Sequence, residues 1–476
     1  MRTDLILLIP EITLLVMACL VLVVDAFSKD PLHKVTYWMA QLSLLLTFIT
    51  VIYYSPDYSY IAFNGSFVSD MMSVLLKAFI CAITIVVFFY SYEYLKENEL
   101  LKGEYFILGL FAVLGMMVMS SAYHLLSIYL GLELLSLSLY AMVAMQREST
   151  FATEAAIKYF VLGALASGML LYGISMIYGV TGSLQFTDIV DTINSGTIDK
   201  VYLVYGMIFL IVGMAFKLGA APFHMWVPDV YQGAPTSVTL FISSAPKLAA
   251  FAMAVRILSD GLSPLIEDWQ SILSVLAILS MAVGNIIAIA QTNIKRMLAY
   301  STIAHVGYLF LGLIAGTASG FAGSMFYIIS YAFMSMGTFG MIILLGRYDL
   351  EADSLDDFKG LFLRNRWFAF IMLCLMFSMA GVPPFLGFWS KWFVLKELIA
   401  SGFIELAAIS VFFSIIGVYY YLRIVKLMYF DEPETMSAIK ATQQMRVVLT
   451  INGILILLIG LAPNSLMHIC LSAFSG

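Results

Sequence analysis

The chain has 476 residues, of which 62% are hydrophobic and only 11% are charged, with a formal net charge of -6 and a mean hydropathy of +0.96. A soluble domain is about 45–50% apolar and about 25% charged, so this composition excludes a soluble protein and indicates an integral membrane protein. The small negative charge is spread over connecting segments and gives no indication of a nucleic-acid partner.

A membrane helix needs roughly 20 mostly apolar residues, and fourteen segments meet this requirement. We interpret the first as a retained span, because its apolar stretch is too long for a signal peptide and no A-x-A-like site follows it. The twelfth is interrupted by Pro383-Pro384, which predicts two half-helices. The predicted spans are 4–26, 35–54, 71–92, 104–120, 122–145, 153–179, 202–223, 235–258, 270–290, 299–316, 322–346, 367–398, 405–429 and 447–472.

The connections predict the orientation, because lysine and arginine accumulate on the cytoplasmic side. Thirteen of these cations fall on one side of the predicted spans and four on the other. Both termini are therefore expected to face away from the cytoplasm, and the even number of spans agrees with this. No long hydrophilic segment interrupts the series, so 1–476 is predicted to be a single membrane domain. The thirteen are Lys29, Lys34, Lys96, Lys102, Arg147, Lys295, Arg296, Arg347, Lys359, Arg364, Arg366, Lys440 and Arg446, and the four are Arg2, Lys200, Arg256 and Lys396.

Four ionisable residues lie deep in predicted spans, namely Glu133, Lys217, Lys247 and Lys391. Each would cost about 2.5–3.5 kcal/mol at the membrane centre on insertion scales. Unpaired in lipid, the four together would cost on the order of 10 kcal/mol, which is comparable with the net stability of a whole domain. We therefore expect them to face protein, water or one another; the alternative at each position is a purely structural ion pair.

Two further lysines have simpler explanations available. Lys158 lies somewhat nearer a helix end and follows Glu154 by four residues, so it either joins the deep group or forms a helix-surface pair or reaches the interface. Lys77 is near the outer end of its span, and we expect its side chain to extend to the membrane surface.

The three deep lysines all lie close to prolines. Proline inside a helix frees a backbone carbonyl and kinks or breaks the helix. Non-helical backbone at membrane depth is tolerated only where protein or water satisfies it, so this pattern predicts polar, hydrated sites at broken helices. Lys217 precedes Pro222, Lys247 directly follows Pro246, and Lys391 follows Pro383-Pro384.

Spans 7 and 12 are the proline-broken spans, and they lie five spans apart. An odd offset inverts a repeated unit, so we predict two inverted five-helix repeats in an all-α membrane fold. Broken helices at matching places in two halves point to a transporter site. The halves share no strong residue identity, so this prediction depends on topology alone. The units are spans 1–3 (1–103), spans 4–8 (104–258), spans 9–13 (270–430) and span 14 (447–472).

The deep residues suggest stepwise proton transfer. The proton affinity of a buried lysine depends on its distance from a carboxylate, so moving Lys217 relative to Glu133 would load or release a proton. His224, His305 and Asp229 are candidates for supplying protons from the cytoplasmic ends of their helices, since histidine titrates near physiological pH. The alternatives are packing roles for both histidines and a capping role for Asp229.

No motif for a redox cofactor, nucleotide or metal is visible. The sequence has no CxxC, Walker-type glycine loop, GxGxxG or HExxH. Its four cysteines, Cys19, Cys81, Cys374 and Cys470, are isolated in apolar stretches, so we interpret them as small hydrophobic side chains. We therefore expect no cofactor and no metal in this chain.

Several long motifs in the same order resemble the antiporter-like subunits of respiratory complex I, and the resemblance covers almost the whole chain. They are LGLELLSLSLYAM, EAAIKYFVLGALASG, FKLGAAPFHMWVPDVYQGAPTSV, QTNIKRMLAYSTIAHVGYLFLG and GVPPFLGFWSKWFVL. PDVYQGAPT is similar to the subunit N branch, the counterpart of mitochondrial subunit 2. Span 8 lacks the histidine that is usual in the L and M branches, which also favours N.

The resemblance implies a fourteen-span proton-translocating subunit of NADH:quinone oxidoreductase in a bacterial cytoplasmic membrane. It implies that Glu133 pairs with Lys217, that Lys158 modulates this pair, that Lys247 is a central relay and that Lys391 leads to the outer side. NADH, FMN, iron–sulfur clusters and quinone would bind to partner subunits, among them antiporter-like and small hydrophobic membrane chains. The alternatives are a subunit of a Mrp-type sodium/proton antiporter and a purely structural membrane anchor.

Overall fold

The computed structural model describes residues 2–56, 58–196, 198–346, 352–433, 439 and 441–475. Two of the cations counted above, Arg347 and Lys440, lie outside these residues. The described chain is almost entirely α-helical, as expected for backbone in lipid, where every N–H and C=O must be paired within the protein.

The helices are α1 (Arg2–Leu7), α2 (Ile9–Phe27), α3 (Lys34–Tyr53), α4 (Met71–Glu97), α5 (Gly103–Ser121), α6 (Leu125–Val143), α7 (Thr150–Thr181), α8 (Phe186–Asn194), α9 (Lys200–Leu218), α10 (Trp226–Gly233), α11 (Thr236–Ser243), α12 (Ala245–Val255), α13 (Ile266–Ile289), α14 (Ile294–Ile314), α15 (Ala318–Leu345), α16 (Leu361–Arg364), α17 (Arg366–Ala380), α18 (Leu386–Ala400), α19 (Ile404–Phe430), α20 (Gln443–Leu461) and α21 (Pro463–Ser472). A π-helix, Arg256–Gly261, continues α12, and short 3-10 helices span Ser263–Leu265 and Leu355–Phe358.

A small hairpin joins spans 2 and 3. Strands β1 (Tyr60–Ala62) and β2 (Phe67–Ser69) pair antiparallel, with Tyr60 opposite Ser69 and Ala62 opposite Phe67.

The predicted all-α membrane fold is confirmed. Thirteen helical segments of the described residues are long and apolar enough to cross a membrane, and the pair α17–α18 supplies a fourteenth in two halves. Spans 7 and 12 are both broken, as their prolines predicted: α9 ends before Pro222, and α17 ends before Pro383-Pro384.

Some predicted boundaries need correction. Span 8 is divided at Ser244, whose φ of -112° and ψ of -97° end α11, and α12 starts with Pro246 in its first turn. The last predicted span, 447–472, merges two helices, because Pro463 begins α21. In both cases the proline lacks the N–H that a continuous helix would need, and it is tolerated at a helix start.

The protein core lies around spans 8, 10 and 11. In α14 and in the segment from α11 to the π-helix every residue of the apolar window is buried, whereas only about a third is buried in α7, α19 and α20. The outer helices therefore expose most of their apolar side chains at the surface of the protein, where a membrane protein contacts lipid. Ionisable groups on the central helices are enclosed by protein, so they can keep a charge without contacting lipid.

Candidate functional site

The break in span 7 is made by Gly219, which follows the last residue of α9. Its φ of 84° is in the left-handed region that favours glycine. The Gly219 N–H donates to Ala215 O at 2.9 Å, and the Ala220 N–H donates to the same carbonyl at 2.8 Å. This closes the helix as a glycine C-cap and leaves a short non-helical stretch before α10 begins at Trp226.

Lys217 lies in the last turn of α9 and is buried, with 8% of its surface exposed. Its Nζ donates to Ser136 Oγ on α6 at 2.9 Å. The Ser136 hydroxyl in turn donates to Leu132 O at 2.6 Å. A hydroxyl has one proton and two lone pairs, so Ser136 is oriented to accept from the lysine.

Glu133 lies three residues before Ser136 on α6, and such residues are neighbours on one helix face. Its Oε1 is buried without a hydrogen-bond partner. Among the described residues no ion pair within 4.0 Å joins Glu133 to Lys217, because the ammonium is bonded to Ser136 instead. The ammonium of Lys217 on α9 therefore reaches the face of α6 that carries Glu133 without forming an ion pair with it, and their pairing stays a prediction.

Lys247 begins the second part of span 8 and is 2% exposed. Its Nζ donates to Leu218 O, the last residue of α9, at 2.7 Å. It also lies 5.7 Å from the centre of the Trp226 ring. The carbonyl end of a helix carries a partial negative charge, so this ammonium is bound at the end of the broken helix and against an aromatic face.

The break in span 12 has the same construction. Gly381 follows α17 with a φ of 86°, and the N–H groups of Gly381 and Val382 both donate to Phe377 O. Lys391 on α18 donates to Ala380 O at 3.0 Å and to Ser414 Oγ at 2.9 Å. An ammonium therefore caps the last carbonyl of this half-helix too.

The environment of Lys391 contains aromatic and hydroxyl groups but no described carboxylate partner. Its Nζ lies 5.0 Å from the centre of the Tyr308 ring. Tyr308 in turn stacks on Tyr327 with ring centroids 6.3 Å apart. These aromatic rings connect the lysine to the environment of His305.

His305 is held between two tyrosine hydroxyls. Nδ1 lies 2.6 Å from Tyr327 Oη, and Nε2 lies 3.0 Å from Tyr421 Oη. The residue is 5% exposed and lies eleven positions into α14, about 16 Å along the helix axis. The prediction that it lies at the cytoplasmic helix end was wrong: its sequence position is central, and the fold encloses it among aromatic side chains.

Lys158 and Asp229 form a separate cluster. Lys158 Nζ lies 2.8 Å from Glu154 Oε1 and 2.7 Å from Asp229 Oδ2, and Arg296 Nη1 lies 2.7 Å from Asp229 Oδ1. These groups line a cavity of about 180 Å³ that also contacts Gln232. Lys158 thus makes the predicted surface pair with Glu154. Its ammonium is bonded within this separate cluster, and 41% of its side chain is exposed. Its predicted influence on the pair of Glu133 and Lys217 stays a prediction.

His224 lies in the non-helical stretch between α9 and α10. It is half-buried, and its Nδ1 is a buried atom without a hydrogen-bond partner. The structure therefore places His224 at the break itself, where a packing role would leave one ring nitrogen unsatisfied.

Two buried ionic groups were missed or misjudged from the sequence. Lys77 does not extend to the membrane surface: its Nζ lies 2.5 Å from Glu11 Oε1, with both side chains at most 6% exposed. The signal was Glu11, a carboxylate inside the first apolar span. Arg256, counted above as an outer-side cation, is also buried, and its Nη1 contacts Asp70 at 2.8 Å and Asp260 at 3.0 Å.

Asp70 lies just before α4, where its side chain caps the helix. Burial raises the pKa of this carboxyl, but the positive charge of Arg256 and the hydrogen bonds from Arg256 and Ser73 together outweigh burial, so the pKa is lowered. Asp70 is therefore ionised at neutral pH, and its ion pair with Arg256 links the start of α4 to the π-helix that continues α12.

The cysteines follow the sequence interpretation in part. All four are free; Cys81, Cys374 and Cys470 are buried, whereas Cys19 is exposed on the face of α2.

Comparison with known proteins gives consistent matches. The family described as NADH:quinone oxidoreductase/Mrp antiporter matches residues 122–417. The chain is 55% identical over 469 residues to the NADH-quinone oxidoreductase subunit N of Thioalkalivibrio sulfidiphilus, covering 98% of each chain. A chain of respiratory complex I from Thermus thermophilus superposes with a TM-score of 0.82 at 30% identity, covering 96% of this chain and 98% of that one. A chain of the Mrp complex from Dietzia superposes with a TM-score of 0.83 over 100% of this chain and 97% of that one, but at 19% identity this likeness concerns the fold alone.

Proposed function

The chain belongs to the subunit N family of NADH-quinone oxidoreductases, and we propose that it moves protons across the membrane through Glu133, Lys217, Lys247 and Lys391. As a member of this family it is a membrane subunit of an oxidoreductase complex. The proposal concerns what its buried charges do there.

One observation carries the proposal: lysines are bonded to the carbonyl ends of both broken helices. Lys247 Nζ donates to Leu218 O, and Lys391 Nζ donates to Ala380 O. Each bond couples the charge of a titratable group to the position of a half-helix, since the ammonium is attracted to the partial negative charge there. A small movement at the break would therefore change how strongly the lysine holds its proton.

Glu133 supplies the counter-charge in the first half. In the structure its Oε1 is unbonded and Lys217 is bonded to Ser136. If the ammonium turned from Ser136 to Glu133, the ion pair would retain the proton on Lys217; turning back would make that proton easier to release. The proton would then pass through water toward Lys247, while Lys217 becomes a neutral amine.

The direction of transfer follows from the predicted orientation, with both termini on the outer side of a bacterial cytoplasmic membrane. Protons would enter from the cytoplasm, where the cluster of Lys158, Asp229 and Arg296 offers ionised groups, and would leave on the outer side beyond Lys391. NADH, FMN, iron–sulfur clusters and quinone would be bound by partner chains. Those partners would include other antiporter-like and small hydrophobic membrane subunits.

The test is Lys217→Ala and Glu133→Ala in the assembled complex, with NADH-driven proton uptake and quinone reduction measured in sealed membrane vesicles. We expect the rate of proton uptake to fall by at least about tenfold in Lys217→Ala, since positioned proton-transfer groups contribute roughly 10²–10⁴-fold. Lys396→Ala is the matched control, because Lys396 lies on α18 with 64% of its side chain exposed. Full proton stoichiometry in both site variants would contradict the proposal.

The Mrp-type alternative has one observation in its favour, the likeness of folds. Purification from the native membrane separates the two possibilities. Co-purifying flavin and iron–sulfur subunits support the oxidoreductase complex, whereas co-purification with small hydrophobic antiporter chains alone supports the alternative.

A further inference from the structure

Helix α20 is bonded to both halves of the broken span 12. On the first half, Trp367 Nε1 of α17 donates to Thr450 Oγ1 at 2.9 Å. On the second half, Trp389 Nε1 of α18 donates to Gly460 O at 2.8 Å. Thr450 and Gly460 both belong to α20, and their separation of ten residues corresponds to about 15 Å along the helix axis. Helix α20 therefore runs beside α17 and continues past the break.

Two glycines allow α20 to pack closely on span 12. A Cβ at Gly453 would lie 2.9 Å from Ile371 Cγ2, a side-chain atom of α17. A Cβ at Gly460 would lie 2.5 Å from Pro384 O and 2.8 Å from Leu386 N, which are backbone atoms at the break. A side chain can move aside, whereas this backbone cannot move without changing the break itself. Gly460 therefore lets α20 contact the backbone of the break directly.

The contact at Gly460 also satisfies a backbone carbonyl. The last four carbonyls of an α-helix have no partner within the helix, and Gly460 is the last residue but one of α20. The residue three positions later, Pro463, has no N–H that could close a final turn on this carbonyl. The indole of Trp389 supplies the donor, so the carboxyl end of α20 is held on α18.

Trp389 and Lys391 lie two residues apart on α18. Lys391 Nζ donates to Ala380 O at the end of α17 at 3.0 Å, so this bond depends on the position of α18 relative to α17. The Gly387 N–H also donates across the break, to Ser378 Oγ at 3.0 Å. Because α20 is bonded to both half-helices, a movement of one half away from the other would disturb a contact with α20.

The first break is bridged by an indole in a different way. Trp226 at the start of α10 donates from its Nε1 to Phe216 O of α9 at 2.9 Å, so this indole joins the two sides of the break directly. At the second break, the indoles of Trp367 and Trp389 both donate to a third helix. Helix α20 thus has the role at the second break that Trp226 has at the first.

We infer that α20 is a positioning element for Lys391, and this inference depends on the proposed function of that lysine. Through Trp389 and Gly460, α20 fixes α18 against α17 and keeps the Lys391 ammonium on Ala380 O. The attraction between the ammonium and the helix end then depends on the contacts of α20. The residues of α20 transfer no proton themselves.

The test uses Gly460→Ala and Trp389→Phe in the assembled complex, with NADH-driven proton uptake and its solvent deuterium isotope effect measured in sealed membrane vesicles. We expect both variants to lower proton uptake per assembled complex several-fold, since a misplacement of about 1 Å can cost as much as about 100-fold. The isotope effect should increase, because proton transfer at the displaced Lys391 would limit the rate.

Each variant has a matched control. Gly453→Ala is the control for Gly460→Ala, because its added Cβ meets a side chain of α17 and not the backbone of the break. Trp392→Phe is the control for Trp389→Phe, because Trp392 also lies on α18, is 51% exposed and stacks on Phe388. Both controls should resemble the parent in proton uptake and in isotope effect, since the contacts between α18 and α20 are retained.

A purely structural α20 predicts that the variants change only the amount or the thermal midpoint of the complex. If Gly460→Ala and Trp389→Phe matched their controls per assembled complex while Lys391→Ala was inactive, this inference alone would be overturned. Unchanged proton uptake in Lys391→Ala would instead contradict the proposed function of Lys391. If Gly460→Ala does not assemble, Trp389→Phe decides, because phenylalanine retains an aromatic ring and removes only the indole N–H and part of the packing.

Discussion

Spans 7 and 12 are each interrupted at a glycine that lies three residues before a proline, Gly219 before Pro222 and Gly381 before Pro384. The two glycines have nearly the same backbone conformation. Gly219 and Gly381 adopt φ/ψ of 84°/33° and 86°/35°. In each break the glycine and the residue after it donate to the same carbonyl, four residues before the glycine. In each break an ammonium also caps the residue just before the glycine.

The two breaks differ in where the lysine comes from and in what surrounds it. Lys247 reaches the first break from the neighbouring span, and span 7 carries its own Lys217 next to the Glu133 helix face. Lys391 belongs to the broken span itself, and its described neighbours are Ser414 and the Tyr308 ring.

The comparison shows that the glycine-capped helix end and the ammonium bonded to it are repeated, whereas the other polar groups around each break are not. Near the first break, the carboxylate Glu133 lies three residues before Ser136, the serine that is bonded to Lys217. Near the second break, the lysine has neutral partners among the described residues, namely Ala380 O, Ser414 Oγ and the Tyr308 ring.

The largest expected effect comes from replacing the capping lysines with arginine. Lys247→Arg and Lys391→Arg keep a positive charge near the helix end but cannot give up a proton, since arginine stays protonated in proteins. If these two lysines only stabilise the helix ends, arginine should preserve proton uptake. If they transfer protons, proton uptake should fall by at least about tenfold. We expect the loss at both breaks, measured as NADH-driven proton uptake per assembled complex.

Lys426→Arg is the control for the arginine experiment, because 69% of the Lys426 side chain is exposed and it pairs with Asp431 at 3.8 Å. Retained uptake in Lys391→Arg together with loss in Lys247→Arg would contradict the view that the two breaks use their lysines in the same way.

A smaller effect is expected from an alanine at each glycine. A residue with a Cβ in the left-handed region costs about 1–2 kcal/mol. At Gly219 the added Cβ would also lie 2.7 Å from Val227 Cγ2, whereas at Gly381 it would lie 3.1 Å from Lys391 Cδ. Gly219→Ala should therefore lower the thermal midpoint of the purified complex more, and Gly381→Ala should lower proton uptake more for a given loss of stability.

Gly182→Ala serves as the reference for the glycine pair, because Gly182 has a φ of 73° and nothing within 4 Å of an added Cβ. It measures the backbone strain without the contacts. Identical behaviour of all three variants would show that the contacts at the breaks have no influence.

Much of this arrangement was predictable from the sequence. The spans follow from apolar length, and the breaks follow from Pro222 and Pro383-Pro384. Partner choice was not predictable, because it depends on how helices distant in sequence pack. Nothing in the sequence indicates that Lys217 bonds to Ser136 and not to Glu133, or that Lys247 caps α9.

The errors have the same physical origin. Lys77 near a span end was expected to extend to the surface, but the buried Glu11 on α2 holds it inside. His305 was expected at a helix end, but α14 extends for eleven residues before it. A sequence position gives the depth of a residue only when the start of its helix is known.

The smallest effect is expected from replacing the two serines that accept hydrogen bonds from the lysines, Ser136 and Ser414. Ser136 provides the only hydrogen bond of Lys217 within the described residues, whereas Lys391 retains Ala380 O if Ser414 is lost. A hydrogen bond to a charged group is worth about 1.5–3 kcal/mol, so Ser136→Ala should drive Lys217 toward Glu133. The ion pair would then hold its proton more tightly, and proton uptake should fall a few-fold. Ser414→Ala should change uptake by less than about twofold, because its lysine keeps the helix carbonyl. A larger loss in Ser414→Ala than in Ser136→Ala would mean that the second break depends on its hydroxyl partner more than on its cap, and the comparison of the two breaks would have to be reversed.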